Sequence, residues 1–226
     1  QIALIQMMEN AGRNLADLAR TRFLSGDPRE RDVVILAGRG GNGGGGLVCA
    51  RRLSTWGATV HVATTHPDEK YRGVPAHQLD ILHRMDIPIQ TAHEFNVDHP
   101  PDLIIDAIIG YGLTGSPRDQ AANLIAAANA QEAPILSLDI PSGLDSTSGR
   151  AHPPTIRATA TLTLALPKEG LRAPGAAEFV GELYLADISV PPGLYERLGI
   201  EVGPIFAQQN ILRLEEPKGA NELLGI

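Results

Sequence analysis

Short apolar segments separated by stretches of helical periodicity are the feature that most constrains the fold of this chain. The first segment, Val33–Leu36, is apolar without interruption, as is typical of a strand buried on both faces of a sheet. Strands separated by helical stretches of about 10–15 residues indicate right-handed βαβ units on a parallel sheet. The strands predicted in this way are Val33–Leu36, Val60–Ala63, Leu103–Ile105 and Ile135–Leu138.

The stretches around these strands carry apolar residues at three- and four-residue spacing, which predicts helices with one apolar face. The last third of the chain predicts two further strands at one edge of the same sheet, without a strong helix. At 226 residues and without a linker run, the chain is interpreted as a single α/β domain over residues 1–226. The predicted helices are about 2–23, 47–56, 73–85 and 119–130, and the two further strands are Ala158–Leu164 and Leu183–Leu185.

Charge and composition exclude several classes of partner. With 26 acidic against 19 basic residues and a net charge of -7, the chain lacks the basic footprint of a nucleic-acid binder. No apolar run approaches the ~18 residues of a membrane span, and the start of the chain lacks a secretory signal pattern. The only cysteine, Cys49, allows no intrachain disulfide and is expected to be packed. We therefore predict a cytoplasmic location, with an organelle matrix as the alternative, and no nucleic-acid or membrane partners.

Three loops should meet at one edge of the sheet, because the carboxyl ends of parallel strands lie together and ligands bind outside them. These loops are Gly38–Gly46, Gly110–Arg118 and Pro141–Gly149. The first joins a buried strand to a helix, so its N–H groups can hold a phosphate, with a flexible connector as the alternative. The chain has no P-loop pattern, and Ala63–Thr65 stands where dinucleotide-binding folds place the acidic residue for the ribose.

Two aspartates, Asp106 and Asp139, close neighbouring buried strands. An ionised carboxylate is costly there unless it is paired or coordinated. Each could instead accept hydrogen bonds from its own following turn, but the pair beside a glycine loop favours a functional site. Ser142, in the turn after Asp139, is outside a nucleophile-elbow pattern, and the histidines show no zinc-binding spacing. A nucleophilic triad and a zinc site are therefore not expected.

Five ordered motifs run along nearly the whole chain: M-E-N-A-G at Met8–Gly12, the glycine loop at Gly38–Gly46, D-A-I-I-G-Y-G-L-T-G at Asp106–Gly115, D-I-P-S-G-L-D at Asp139–Asp145, and L-P-K at Leu166–Lys168 with G-E-L at Gly181–Leu183. Together they resemble the NAD(P)H-hydrate epimerase family, also called the YjeF N-terminal domain or apolipoprotein A-I-binding protein family. One departure stands out in the glycine loop. The family's first Asn and its Asp are replaced here by Gly41 and Gly45.

The resemblance implies a three-layer α/β/α Rossmann-like sandwich with a mainly parallel central sheet, and a homodimer. It also implies interconversion of the R and S epimers of hydrated NADH or NADPH in nicotinamide-nucleotide repair. The implied cofactor is a potassium ion on Asn42, Asp106 and Ser142. Asp139 would contact the hydrated nicotinamide and is our candidate acid/base, because the ring hydroxyl must exchange a proton. The predicted substrate-binding residues are Gly41, Asn42, Gly43, Gly44, Gly45, Gly110, Tyr111, Gly112, Leu113, Thr114, Gly115, Ser116 and Asp139.

Two alternative functions remain open at this point. The altered glycine loop favours a non-catalytic nucleotide-binding or protein-interaction module of the same fold. An NAD-dependent oxidoreductase ranks last, since the acidic residue for the ribose is missing after the second strand. Lys168, a single lysine after a strand, is interpreted as a solvated side chain and is not assigned to the site.

Overall fold

The computed structural model describes residues 2–93 and 100–215, so the ends of the predicted 1–226 domain lie outside the described residues. Eight strands form one sheet in the order β3-β2-β1-β4-β5-β6-β7-β8. All neighbouring strands pair in parallel except β7 and β8, which are antiparallel. The strands are Asp32–Ala37 (β1), Thr59–Thr64 (β2), Ile89–Thr91 (β3), Leu103–Ala107 (β4), Ile135–Leu138 (β5), Ala160–Leu164 (β6), Glu182–Ala186 (β7) and Ile211–Leu214 (β8).

Helices cover both faces of this sheet, which confirms the α/β sandwich. On one face, Leu15, Leu53 and Leu82 from the first three helices join one hydrophobic cluster with the sheet. On the other face, Leu124 and Ile125 from the fourth helix join a second cluster. Each such buried side chain stabilises the fold by about 1.5–3 kcal/mol. The helices are Leu4–Leu18 (α1), Gly41–Thr55 (α2), Gly73–Arg84 (α3), Asp119–Asn129 (α4), Ala177–Val180 (α5) and Pro192–Arg197 (α6).

The glycine-rich segment differs most from the sequence prediction. Residues 38–46 were predicted to form a loop with the helix starting near Leu47, but α2 begins at Gly41. The low helix propensity of glycine favoured the loop. In the structure, tertiary contact outweighs propensity, because the start of α2 approaches the backbone so closely that a β-carbon on Gly43 would overlap the carbonyl oxygen of Gly38. These glycines allow close packing of a helix.

The other differences lie at the edges of the sheet and at element ends. The strands β3 and β8 were not predicted, and both are edge strands of three or four residues whose partial burial leaves little apolar pattern to detect. The strand β6 begins at Ala160, two residues later than predicted. The first predicted helix is α-helical only to Leu18, and Ala19–Phe23 continues it as a π-helical turn.

Two expectations about chemistry and environment can be compared with the fold. Cys49 is buried inside α2, so it is packed as expected. This burial raises the pKa of its thiol. Over residues 2–93 and 100–215, no helix combines the length and apolar character needed to cross a membrane. The cytoplasmic location stays a prediction.

Candidate active site

A cavity of about 920 Å³ opens at the carboxyl ends of β2, β1, β4 and β5. This is the edge at which open parallel sheets bind their ligands. The start of α1 closes one side of the cavity with apolar side chains. The wall comprises Leu4, Met7, Met8 and Ala11 of α1, segments 38–42, 65–66 and 108–118, and also Gly45, Ala121, Leu138, Asp139, Leu164 and Ile188.

Asp139 follows β5 directly and lies in the wall of this cavity. Its φ angle is 67°, in the left-handed region that few residues other than glycine adopt. The side chain is 6% exposed, and its Oδ1 accepts a hydrogen bond from the backbone N–H of Leu164 at 3.3 Å. An unfavourable backbone conformation at a cavity wall is typical of functional positions.

Lys168 forms an ion pair with Asp139, which the sequence interpretation missed. Its Nζ also donates hydrogen bonds to the carbonyl oxygen of Leu164 at 2.9 Å and to Oγ1 of Thr163 at 3.2 Å. Because an ammonium group has three N–H donors, these contacts use all of them. The cavity wall includes Asp139 but not Lys168. The L-P-K motif was the signal that could have identified it.

Asp106 is fully buried at the end of β4 and accepts four hydrogen bonds. Its Oδ1 accepts from the hydroxyl of Ser142 at 2.6 Å and from the N–H of Ile108 at 3.2 Å. Its Oδ2 accepts from the hydroxyl of Ser137 at 2.8 Å and from the N–H of Ser142 at 2.9 Å. Burial raises the pKa of Asp106, while the hydrogen bonds from Ser142 act in the opposite direction. The carboxyl group therefore ties β4 to β5 and to the turn after it.

The expected potassium ligands do not all reach the surface of the cavity. Asn42 is in the cavity wall, whereas Asp106 and Ser142 lie beneath it. Ser142 is a potassium ligand that the resemblance implies, but it does not line the cavity. Its hydroxyl donates to Asp106 and accepts a hydrogen bond from the N–H of Ile109 at 2.8 Å. The hydroxyl therefore belongs to a buried network at the floor of the site.

These residues nevertheless fit a cation of low charge. Within the described ranges, no lysine or arginine pairs with Asp106, and a buried carboxylate is costly without a cationic partner. The amide nitrogen of Asn42 is buried without a hydrogen-bond partner in the same ranges, and turning the amide would put its oxygen there. Amide, carboxylate and hydroxyl oxygens are ligands of hard cations. Those ranges contain no cluster of three His, Cys, Asp or Glu side chains able to hold a metal.

The predicted substrate-binding residues are divided between the wall and the packing beneath it. Gly43 and Gly44 are not among the residues that line the cavity, and their contact with a substrate stays a prediction. A β-carbon on Gly44 would lie 2.5 Å from the sulfur of Met8, because α1 packs tightly on the start of α2. The remaining predicted residues line the cavity: Gly41, Asn42, Gly45, Gly110, Tyr111, Gly112, Leu113, Thr114, Gly115, Ser116 and Asp139.

Comparison with known proteins places this chain in one family. The model of the family described as "YjeF-related protein N-terminus" matches residues 4–170, which is more than half of the chain. The chain belongs to this family. The matched residues include every element that contributes to the cavity except the segment around Ile188.

Curated YjeF-related proteins are similar over most of this chain. An NAD(P)H-hydrate epimerase of Dehalogenimonas lykanthroporepellens is 41% identical over 203 residues, which cover 88% of this chain and 78% of that protein. An NAD(P)H-hydrate epimerase of Truepera radiovictrix is 38% identical, with 86% and 84% covered. The bifunctional NAD(P)H-hydrate repair enzyme Nnr of Salinibacter ruber is 33% identical, and the match spans 87% of this chain but only 39% of that enzyme.

A solved structure confirms the YjeF-related fold. The crystal structure of yeast ynu0, YNL200c, has a TM-score of 0.79 and 25% sequence identity. The similarity covers 94% of this chain and 91% of the yeast chain. This similarity therefore extends beyond residue 170, where the match to the family model ends.

Gly41 and Gly45, which stand where the family pattern has Asn and Asp, differ in their surroundings. A β-carbon on Gly41 would meet no atom within 4 Å, so a side chain has open space there. A β-carbon on Gly45 would lie 2.7 Å from Cδ2 of Leu138. Leu138 thus occupies space that a side chain at position 45 would need, and the wall is apolar where the family pattern has an aspartate.

Proposed function

We propose that this protein interconverts the R and S epimers of hydrated NADH and NADPH, as an isomerase in nicotinamide-nucleotide repair. The observation that carries the proposal is the 41% identity to an NAD(P)H-hydrate epimerase over most of both chains. The site supports it, because Asp139 lies in the wall of a cavity of about 920 Å³, near the upper end of the range for small-molecule sites.

The proposed chemistry assigns proton transfer and charge balance to Asp139. When the ring hydroxyl leaves as water, its oxygen gains a proton and the electron pair of the ring nitrogen stabilises the positive charge left on the ring. The carboxyl group of Asp139 can transfer that proton, and as a carboxylate it balances the charge. Addition of water to the opposite face, with return of the proton, gives the other epimer. Lys168 positions the Asp139 carboxyl through their ion pair.

The rest of the dinucleotide fits the remaining wall of the cavity. The first N–H groups of α2 lack partners within the helix and can bind the pyrophosphate. The segment from Gly110 to Ser116 adds further backbone groups on the other side. Tyr111 is 77% exposed at this rim, so its ring can stack on a base or on the nicotinamide.

We also propose that Asn42, Asp106 and Ser142 hold a potassium ion, which when bound supplies positive charge at the floor of the cavity. Replacing Asn42 with alanine should raise the potassium concentration for half-maximal activity by roughly tenfold, because one oxygen ligand is lost. Initial rates measured against KCl at constant ionic strength would test this. Asn123→Ala, an exposed position on α4, is the matched control. An unchanged potassium dependence in Asn42→Ala would contradict the assignment.

The activity itself is tested by incubating purified protein and potassium with separated R and S hydrates of NADH and NADPH. We expect each pure epimer to approach the equilibrium mixture faster than in buffer, as followed by chromatography. If the rate equals that of spontaneous epimerisation, the alternative of a non-catalytic nucleotide-binding or protein-interaction module replaces this proposal.

A homodimer is also proposed, with the start of α1 as the contact region. Leu4 and Ile5 are apolar residues exposed there, at 55% and 36%. Exposed apolar residues at neighbouring positions mark interaction surfaces more often than isolated ones do. Sedimentation equilibrium should give twice the chain mass, and Leu4→Glu with Ile5→Glu should shift it toward the monomer. A monomeric unmodified protein would contradict the dimer.

A further inference from the structure

One end of the cavity, at the carboxyl end of β2, carries basic and hydroxyl groups that the proposed chemistry does not use. Thr65 and His66 follow β2 and line the cavity together with Arg39. The N–H of Thr65 donates to the carbonyl oxygen of Ala37 at 3.0 Å, so this segment lies directly beside the start of the glycine segment. The hydroxyl of Thr65 and Nδ1 of His66 are 2.9 Å apart.

This end has positive charge that no carboxylate of the wall balances. Arg39 is exposed and, within the part of the chain that the structure describes, forms no ion pair. Partial burial lowers the pKa of His66, and the charges of Arg39 and Lys70 lower it further. Asp68, a nearby carboxylate, is engaged with Nε2 of His83 at 2.6 Å and does not line the cavity. Arg39 therefore supplies an unpaired positive charge in the wall at this end, which can attract an anionic group of a ligand.

The opposite end of the cavity is fixed by Asp139. The strand order places β1 and β4 between β2 and β5, so Asp139 and Thr65 lie three strand spacings apart, roughly 14 Å. The start of α2, where a pyrophosphate would bind, follows β1 in the middle. A dinucleotide with its nicotinamide at Asp139 and its pyrophosphate at α2 therefore extends its adenosine toward β2.

The groups at this end are those that suit a phosphate on the adenosine ribose. In dinucleotide-binding folds, an acidic residue after the second strand binds the ribose 2′-hydroxyl, whereas an arginine accommodates a 2′-phosphate. Here Thr65 and His66 replace the acidic residue and Arg39 lies beside them. We propose that Arg39, with Thr65 and His66, binds the 2′-phosphate of hydrated NADPH, so that this protein prefers hydrated NADPH to hydrated NADH. The preference in turnover rests on the proposed function, whereas the phosphate subsite does not.

Kinetics of Arg39 variants test the preference. In Arg39→Ala, we expect kcat/KM for hydrated NADPH to fall roughly tenfold through KM, with hydrated NADH changed less than twofold. Arg39→Asp should favour hydrated NADH, because its carboxylate repels the 2′-phosphate. Arg157→Ala removes an exposed arginine outside the cavity wall and should behave as the unmodified protein. Equal losses for both hydrates in Arg39→Ala would overturn the proposal.

Binding of substrate fragments tests the subsite without any turnover. By calorimetry, adenosine 2′,5′-bisphosphate should bind the unmodified protein and Arg157→Ala about tenfold more tightly than adenosine 5′-phosphate does. Arg39→Ala should lose this difference. If the difference persists in Arg39→Ala, or disappears instead in Arg118→Ala, which changes another arginine of the cavity wall, the subsite is wrongly placed. A preserved difference in a protein without epimerase activity would refute the proposed function and retain the phosphate subsite.

Discussion

Replacing Asp139 with asparagine should lower kcat for epimerisation by about 10²–10⁴, the range that general acid–base catalysis contributes. The amide keeps the size of the carboxyl group, and its oxygen can still accept hydrogen bonds from the N–H of Leu164 and from Lys168. The fold should therefore be retained, while both proton transfer and negative charge are lost. Chromatographic rates with separated epimers give kcat, and thermal unfolding by circular dichroism reports the fold.

Two further variants separate catalysis by Asp139 from a structural role. Asp145→Asn makes the same change six residues later, where Oδ1 accepts the N–H of Ser148 at 2.7 Å outside the cavity wall, and kcat should stay within about twofold. Lys168→Met removes the ammonium but keeps an extended side chain, so kcat should fall while KM changes little. If Asp139→Asn keeps the full rate in a folded protein, Asp139 has no catalytic role.

The central strands of the sheet could be predicted from the sequence because they are its most buried part. β1, β2, β4 and β5 are buried over most of their length, so their apolar runs are nearly continuous and their positions were predicted to within about two residues. The strand ends then located Asp106 and Asp139. β3 and β8, at the two edges of the sheet, lack that signal.

The site was predicted only in part, because the order of residues along the chain does not show which side chains line the cavity and which are buried beneath it. Asp106 and Asp139 both end buried strands, yet only Asp139 lines the cavity, while Asp106 is enclosed by the hydroxyls of Ser137 and Ser142. Lys168 was set aside because lysines are mostly solvated. Its contact with Asp139 depends on the turn after β6, which brings position 168 back beside Thr163.

Replacing Gly43 with alanine should destabilise the protein by roughly 3 kcal/mol or more, whereas the same change at Gly41 should have a neutral or stabilising effect of up to about 1 kcal/mol. Both residues lie in the first turn of α2, so helix propensity alone would favour alanine at either position. A β-carbon on Gly41 meets no atom within 4 Å, but one on Gly43 would overlap the carbonyl group of Gly38.

This overlap cannot be relieved by a side-chain rotation, because the opposing atoms belong to the backbone. Gly38 also has little room to move, because a β-carbon built on Gly38 would lie 2.0 Å from the carbonyl oxygen of Ile108. Urea unfolding of both variants gives the two free energies of unfolding. Similar stabilities for Gly41→Ala and Gly43→Ala would mean that the segment is the flexible loop that its composition suggests. A large difference would mean that glycine is required there so that α2 can start against β1 and hold Asn42 in the cavity wall.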